Sequence, residues 1–245
     1  MKKRLLLISN STNYGEAYLD WPQKDISNFL KETKVKRILF IPYAGVGLSE
    51  ESLEKSFDAY EDKVNAVYQK LGYEIYSIHK EADPVEAVKN AEAIAVGGGN
   101  TFHLFYMMHK NKIMDLMRER VENGVPFMGW SAGSNICCPT LKTTNDMPII
   151  EPESFNGLNL IPFQINPHYL DANPNGHGGE TREQRIEEFM VVNRDVYVAG
   201  LREACLLLVE GDEMKLIGDR KLRLFKFGQE PQELDNTVNL NYLLK

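Results

Sequence analysis

The stretch "FMGWSAGSNICC", Phe127 to Cys138, places one serine between two glycines directly after an apolar run. Glycine lets a backbone turn sharply and pass close to its neighbours. The stretch reads as a buried strand that ends in a tight turn and opens a helix, which is the setting of a nucleophile elbow. In an elbow the hydroxyl of Ser131 projects above the sheet, and the following N–H, that of Ala132, points at a developing oxyanion. The competing reading is a plain strand-to-helix turn. Both readings put a strand immediately before a helix.

The same alternation extends outward. Short apolar runs recur at "RLLLIS" (Arg4–Ser9), "RILFIP" (Arg37–Pro42), "YEIYSI" (Tyr73–Ile78), "AIAVGG" (Ala93–Gly98) and "VPFMGW" (Val125–Trp130). Between them lie segments with helical spacing: Ile26, Phe29 and Leu30; then Leu53, Phe57, Tyr60, Val64, Val67 and Leu71; then Leu104, Met107 and Met108, leading on through Leu116, Met117 and Arg120. Strand and helix in this rhythm predict an α/β fold with a mostly parallel sheet covered on both faces. After about residue 139 the pattern loosens into the Asn-, Pro- and Gly-rich "NPHYLDANPNGHGGETREQR", read as a loop followed by a helix from Thr181 to about Val192. Thr181 and Gln184 form a capping-box pair. The tail reads as short antiparallel strands on the sheet edge, with Gly211-Asp212 as a hairpin turn. Nothing resembles a linker or a repeat, so residues 1–245 are expected to form a single domain.

The chain has 245 residues and a formal net charge of -7, with no basic run, which argues against nucleic acid and anionic membrane as partners. The opening "MKKRLLLISNST" has too short an apolar run for a signal peptide and reads as a first strand. No stretch approaches the ~20 apolar residues of a membrane span. Cys137, Cys138 and Cys205 lack metal-ligand spacing and read as small core residues of a protein in a reducing cytoplasm.

Ligands of parallel sheets bind at the C-terminal edge of the strands. That edge should carry Ser131 together with "VGGGNT" (Val96–Thr101), which is neither a dinucleotide fingerprint nor a P-loop. Its backbone N–H groups, with Gly98, Gly99 and Asn100 as the candidates, could instead supply a second oxyanion donor beside Ala132. A serine nucleophile needs a base. His79, His103, His109 and His177 read as core, surface or loop residues, whereas His168 in "INPHY" should emerge at the strand edge. Two carboxylates qualify to orient it: Asp146 in "TTNDMP" and Glu203 in "GLREAC". Glu203 follows the strand "VYVAG" and lands on the edge. Asp146 lies in an irregular segment that either folds over the site or caps a turn.

Taken in order, "VGGGNTF", "GWSAGSN", "TTNDMPI", "QINPH" and "GETREQRI" resemble peptidase E, the cytoplasmic α-aspartyl dipeptidase family. The resemblance runs from "LLLISNST" to at least Glu203. It implies a flavodoxin-like sheet related to class I glutamine amidotransferases, and a cytoplasmic serine peptidase that cleaves Asp-X dipeptides through an acyl-enzyme. It implies Ser131 as nucleophile and His168 as base, and both Asp146 and Glu203 match positions given the third role. No metal or organic cofactor is expected. The expected partners are a small Asp-X peptide and a second copy in a homodimer. Selecting an aspartate side chain calls for a guanidinium, and Arg182, at the start of the helix after "GGE", is the candidate. The alternatives are a cyanophycinase-like hydrolase of aspartyl polymers and a non-catalytic small-molecule-binding protein.

Overall fold

The structure is a computed structural model that describes every residue except 1, 32, 174, 175 and 177. The loop position read for His177 therefore lies outside the described residues. A seven-stranded sheet organises the chain: β1 (Arg4–Ile8), β2 (Arg37–Ile41), β3 (Glu74–Ser77), β4 (Ile94–Val96), β5 (Phe127–Trp130), β8 (Leu206–Glu210) and β9 (Glu213–Ile217), in the order β3-β2-β4-β5-β1-β8-β9. The first five pair in parallel, and β8 and β9 are antiparallel additions at one edge. The β8–β9 turn is Gly211-Asp212, as expected, with Gly211 at φ 65°.

Because strand side chains alternate, each central strand feeds two cores. Leu6, Ile8, Ile38, Phe40, Ala95, Met128 and Trp130 face α1 (Gln23–Lys31) and α2 (Leu53–Tyr68). Leu5, Leu7, Leu39, Ile41, Val96 and Phe127 face the opposite core, which contains residues of α3 (Pro84–Lys89), α4 (Thr101–Lys110) and α5 (Met114–Glu122). The helical pattern from Leu104 to Arg120 is thus two helices, broken where Lys112 takes φ 55°. Among the described residues, no helix is long and apolar enough to cross a membrane.

Part of the tail departs from expectation. "VYVAGL" does not edge the main sheet. It forms β7 (Val198–Arg202) of a second, four-stranded sheet ordered β11-β10-β7-β6, with β6 (Gln164–Tyr169), β10 (Leu222–Phe225) and β11 (Gln232–Leu234). β6 and β7 run parallel. Ile165, Ala199, Leu201, Leu222 and Leu224 of this sheet belong to the same apolar cluster as α4 and α5, so it packs on one flank of the main sheet. The helix α7 (Arg182–Val192) starts at Thr181, and both halves of the Thr181–Gln184 capping box form.

Candidate active site

Ser131 stands between β5 and the short helix α6 (Ala132–Asn135) with φ 54° and ψ -115°, a conformation a non-glycine residue adopts only when its surroundings impose it. The two flanking glycines show what imposes it. A Cβ on Gly129 would lie 2.0 Å from the Gly133 carbonyl oxygen, and one on Gly133 would lie 2.0 Å from that of Val96. The elbow closes only if both positions lack side chains. The buried Ser134 hydroxyl pins it further, reaching the carbonyls of Ile8 (2.7 Å) and Gly129 (2.8 Å), while the Ser131 N–H donates to Ile8 O (3.0 Å).

The second sheet delivers the partners. His168 sits at a register shift between Pro167 and Tyr169, with φ 52°. The shift turns its ring toward Ser131, with Nε2 2.9 Å from Ser131 Oγ. Glu203 follows the last residue of β7, and its Oε1 lies 2.8 Å from His168 Nδ1. A carboxylate only accepts, so Nδ1 carries the proton; in the neutral imidazole Nε2 is then the acceptor and the Ser131 hydroxyl donates to it. Each of the two side chains is 39% exposed, so the imidazole is open to a substrate.

Asp146 occupies a different place from the one that a base-orienting carboxylate requires. Its Oδ2 accepts from the Thr101 N–H (2.7 Å), the Thr101 hydroxyl (2.5 Å) and the Thr144 hydroxyl (3.1 Å). It sits on the N-terminus of α4, where the exposed N–H groups and the helix dipole favour an anion. Asn100 likewise serves that helix end. Its Oδ1 accepts from the His103 N–H, its Nδ2 donates to Met147 O, and its own N–H donates to Ala44 O (2.8 Å). Its backbone donor is therefore already used.

Gly98 passes beside Ser131, for a Cβ there would meet Ser131 Cβ at 2.9 Å. Gly99 has φ 132° and leaves no room for a Cβ, which would lie 2.2 Å from Ala44 O. Among the described residues, the N–H groups of Gly98, Gly99 and Ala132 have no hydrogen-bond acceptor. Ser131, His168, Asp146, Gly99 and Arg182 share a pocket of about 660 Å³. The Arg182 guanidinium has no ion pair among the described residues. Burial pulls it below the ordinary arginine range, helped by Arg185 and opposed by Asp146.

The other described histidines are engaged elsewhere: His103 Nδ1 lies 2.6 Å from Tyr43 O inside the core, and His109 Nε2 lies 3.3 Å from Asn156 O. His79 clusters with Asp58 and Glu61, whose ligand atoms lie within 4.8 Å of one another. Lys80 spans both of those carboxylates, at 3.1 and 2.5 Å, so an ammonium already fills the position a metal ion would take. That ammonium, with His79 and Lys55, holds the Asp58 carboxyl well below the usual range.

Sequence reasoning missed the residues that brace the site. Ser9, fully buried at the end of β1, accepts from the His168 N–H (3.0 Å) and donates to Leu201 O (2.7 Å), tying both arms of the second sheet to the first. Asn10 accepts from the Ala204 N–H (2.9 Å), fixing the turn that carries Glu203. Their signal was two polar residues closing an apolar strand at the ligand edge.

A strained serine hydrogen-bonded to a histidine that is itself backed by a carboxylate, at the C-terminal edge of a parallel sheet, is the arrangement of the serine hydrolases. Comparison with known proteins narrows the class. Residues 5–217 match peptidase family S51, and the chain belongs to that family. It is a serine peptidase. It is 53% identical over 245 residues to peptidase E of Nostoc sp. (strain PCC 7120), covering 100% of this chain and 98% of that one. It is 43% identical over 241 residues to peptidase E of Streptomyces coelicolor, covering 98% and 94%. The crystal structure of a peptidase from an acI-B1 Actinobacterium shares the fold, with a TM-score of 0.69 at 19% identity over 98% of this chain and 97% of that one.

The elbow generates a direct test. Gly133→Ala should destabilise the protein by roughly 1–3 kcal/mol or more, because the new methyl meets a backbone carbonyl that cannot swing away. Chemical denaturation of the variant beside the parent measures it.

Proposed function

We propose that the protein hydrolyses dipeptides that begin with aspartate, in a reducing cytoplasm, with Ser131 as nucleophile, His168 as general base and Glu203 as the residue that orients it. The continuous hydrogen-bonded chain Ser131–His168–Glu203, opening on a pocket that Arg182 lines, carries this reading. His168 Nε2 takes the Ser131 proton as Oγ attacks the aspartyl carbonyl carbon. The carbonyl electrons move onto oxygen, where the N–H groups of Ala132 and of the Gly98–Gly99 turn receive them. His168 then gives its proton to the leaving amine, the C–N bond breaks and an aspartyl ester remains on Ser131. Water, deprotonated by the same imidazole, releases aspartate. These steps use protein groups and water alone.

In this reading Asp146 acts by shaping the site. It holds the N-terminus of α4, directly after the glycine turn, and its charge keeps an anion close to Arg182. Arg182 is assigned to the aspartate side chain, for which a guanidinium free of other ion pairs is suited. The three cysteines are buried free thiols, which fits the compartment proposed.

Ser131→Ala should remain folded and lose about 10⁴-fold or more in Asp-X hydrolysis; turnover close to that of the parent would refute the nucleophile. Glu203→Gln should lower kcat by orders of magnitude with little change in KM, because the wrong imidazole tautomer is then favoured. Asp146→Asn should act on KM or on stability, and steady-state kinetics of the two variants separates the roles. Arg182→Met should cost about 2–5 kcal/mol in kcat/KM for Asp-X and erase the preference for Asp-X over Asn-X. A variant that still discriminates aspartate from asparagine as the parent does would move the specificity determinant elsewhere.

A further inference from the structure

One buried hydroxyl lies closer to the proposed chemistry than its place on a distant helix suggests. Tyr60 is in the middle of α2, 5% exposed, with its ring edge-on to Phe40 at 5.1 Å. Its hydroxyl touches three groups: Gly98 O at 2.9 Å, Trp130 Nε1 at 3.0 Å and the Tyr18 hydroxyl at 3.4 Å. The bond directions follow from the partners. An indole N–H can only donate and a carbonyl can only accept, so the single Tyr60 proton goes to Gly98 O, while Trp130 and Tyr18 donate to the oxygen. Burial pushes the phenol up to about 12, so it stays a donor at any working pH.

The chain is cut to fit this ring. A Cβ on Gly45, just beyond β2, would lie 2.3 Å from Tyr60 Cδ1, and one on Gly97, just beyond β4, would lie 2.6 Å from the Tyr60 hydroxyl oxygen. Two strand ends thus carry glycine where the ring passes. The ring ends on the residue before the nucleophile, Trp130, and on the peptide that runs beside it.

That peptide is the one that matters. In a trans peptide the carbonyl of one residue and the N–H of the next point in opposite directions within one rigid plane. No peptide bond among the described residues is cis. A hydroxyl that holds Gly98 C=O therefore holds Gly99 N–H pointing the opposite way, on a peptide that lines the pocket beside Ser131. We propose that Tyr60 is a positioning residue for the oxyanion site: its hydroxyl fixes the Gly98–Gly99 peptide so that the Gly99 N–H faces the carbonyl attacked by Ser131. This rests on the reading of Ser131 as an acyl-transfer nucleophile. Without the hydroxyl the peptide can rotate, since Gly99 has none of the side-chain restraint that would keep it in place.

The test is Tyr60→Phe, which keeps the ring and removes the one donor. Expected is a fall in kcat on Asp-Leu of about 10- to 100-fold with KM within twofold. The affinity of an aspartyl boronate, whose tetrahedral adduct places an oxygen in the oxyanion site, should fall by the same factor. The affinity of intact Asp-Leu, compared by calorimetry between Ser131→Ala and Ser131→Ala/Tyr60→Phe, should not change, and neither should the pH profile set by His168. A merely structural tyrosine would lower thermal stability and leave kcat and boronate affinity where they were, and that result overturns the proposal. Equal losses in Asp-Leu and boronate affinity would also overturn it, since they mark a disordered pocket. Should Tyr60→Phe not fold, Gly97→Ala, whose methyl displaces the hydroxyl, must give the same split between kcat and ground-state binding, and its absence is decisive against the proposal. A parent enzyme inactive on Asp-Leu, or an active Ser131→Ala, would instead refute the nucleophile reading and the Tyr60 role with it.

Discussion

Two carbonyl oxygens that leave no room for a side chain govern this structure. The Gly133 oxygen fills the space a Cβ on Gly129 would need, and the Val96 oxygen fills the space of one on Gly133. Backbone packed that closely cannot relax by rotating a side chain, so the turn between β5 and α6 has one available path. Ser131 lies on that path at φ 54°. The strain is stored locally and held by the parallel strands on either side: β4 supplies the Val96 oxygen, and β1 accepts the Ser131 N–H and the Ser134 hydroxyl through Ile8 O. The strained backbone of Ser131 is thereby maintained by buried strands of the sheet.

His168 reaches that serine from a second sheet, which raises the question of how two sheets keep hydrogen-bond register at a single oxygen. Ser9 answers it. Its hydroxyl sits between the His168 N–H and the Leu201 carbonyl, so one side chain at the end of β1 holds β6 and β7 together. Asn10, the next residue, holds the turn after Glu203 through Ala204, which itself takes φ 60°. The serine, its histidine and the carboxylate all hang from Ile8, the last residue of β1, and the two residues that follow it, Ser9 and Asn10. The same β1 pairs with β5 on one side and β8 on the other.

What was legible in the sequence was local. Strand–helix alternation, the elbow glycines, the capping box at Thr181 and the hairpin at Gly211-Asp212 are each written within a few residues, because each is a matter of backbone sterics and period. The separation of β7 from the main sheet was not legible: "VYVAGL" is apolar enough for either sheet, and the pairing of β7 with β6 joins residues as far apart as Gln164 and Val198. Tyr60 was read correctly as a core residue of α2 and nothing more, for the helical period reports which face is buried and is silent on where a hydroxyl ends. The glycines that accommodate it, Gly45 and Gly97, lie in the loops that follow β2 and β4.

The ambiguity between Asp146 and Glu203 is the most instructive case, since both sit in blocks that resemble the same family. Residue type could not separate them, because either carboxylate can accept from an imidazole. Their hydrogen-bond partners differ. A carboxylate oxygen that already takes a backbone N–H and two hydroxyls, as Asp146 Oδ2 does, is saturated and fixed on a helix end. Among the described residues Glu203 lacks such neighbours, and its Oε1 is directed at one ring nitrogen. The difference also assigns the two charges different work. In the mechanism proposed above, the negative charge at Glu203 stabilises an imidazolium as it forms, whereas that at Asp146 acts on α4 and on the field around Arg182. The two carboxylates thus do not compete for the same proton, because the donors around each are fixed by different elements of the fold.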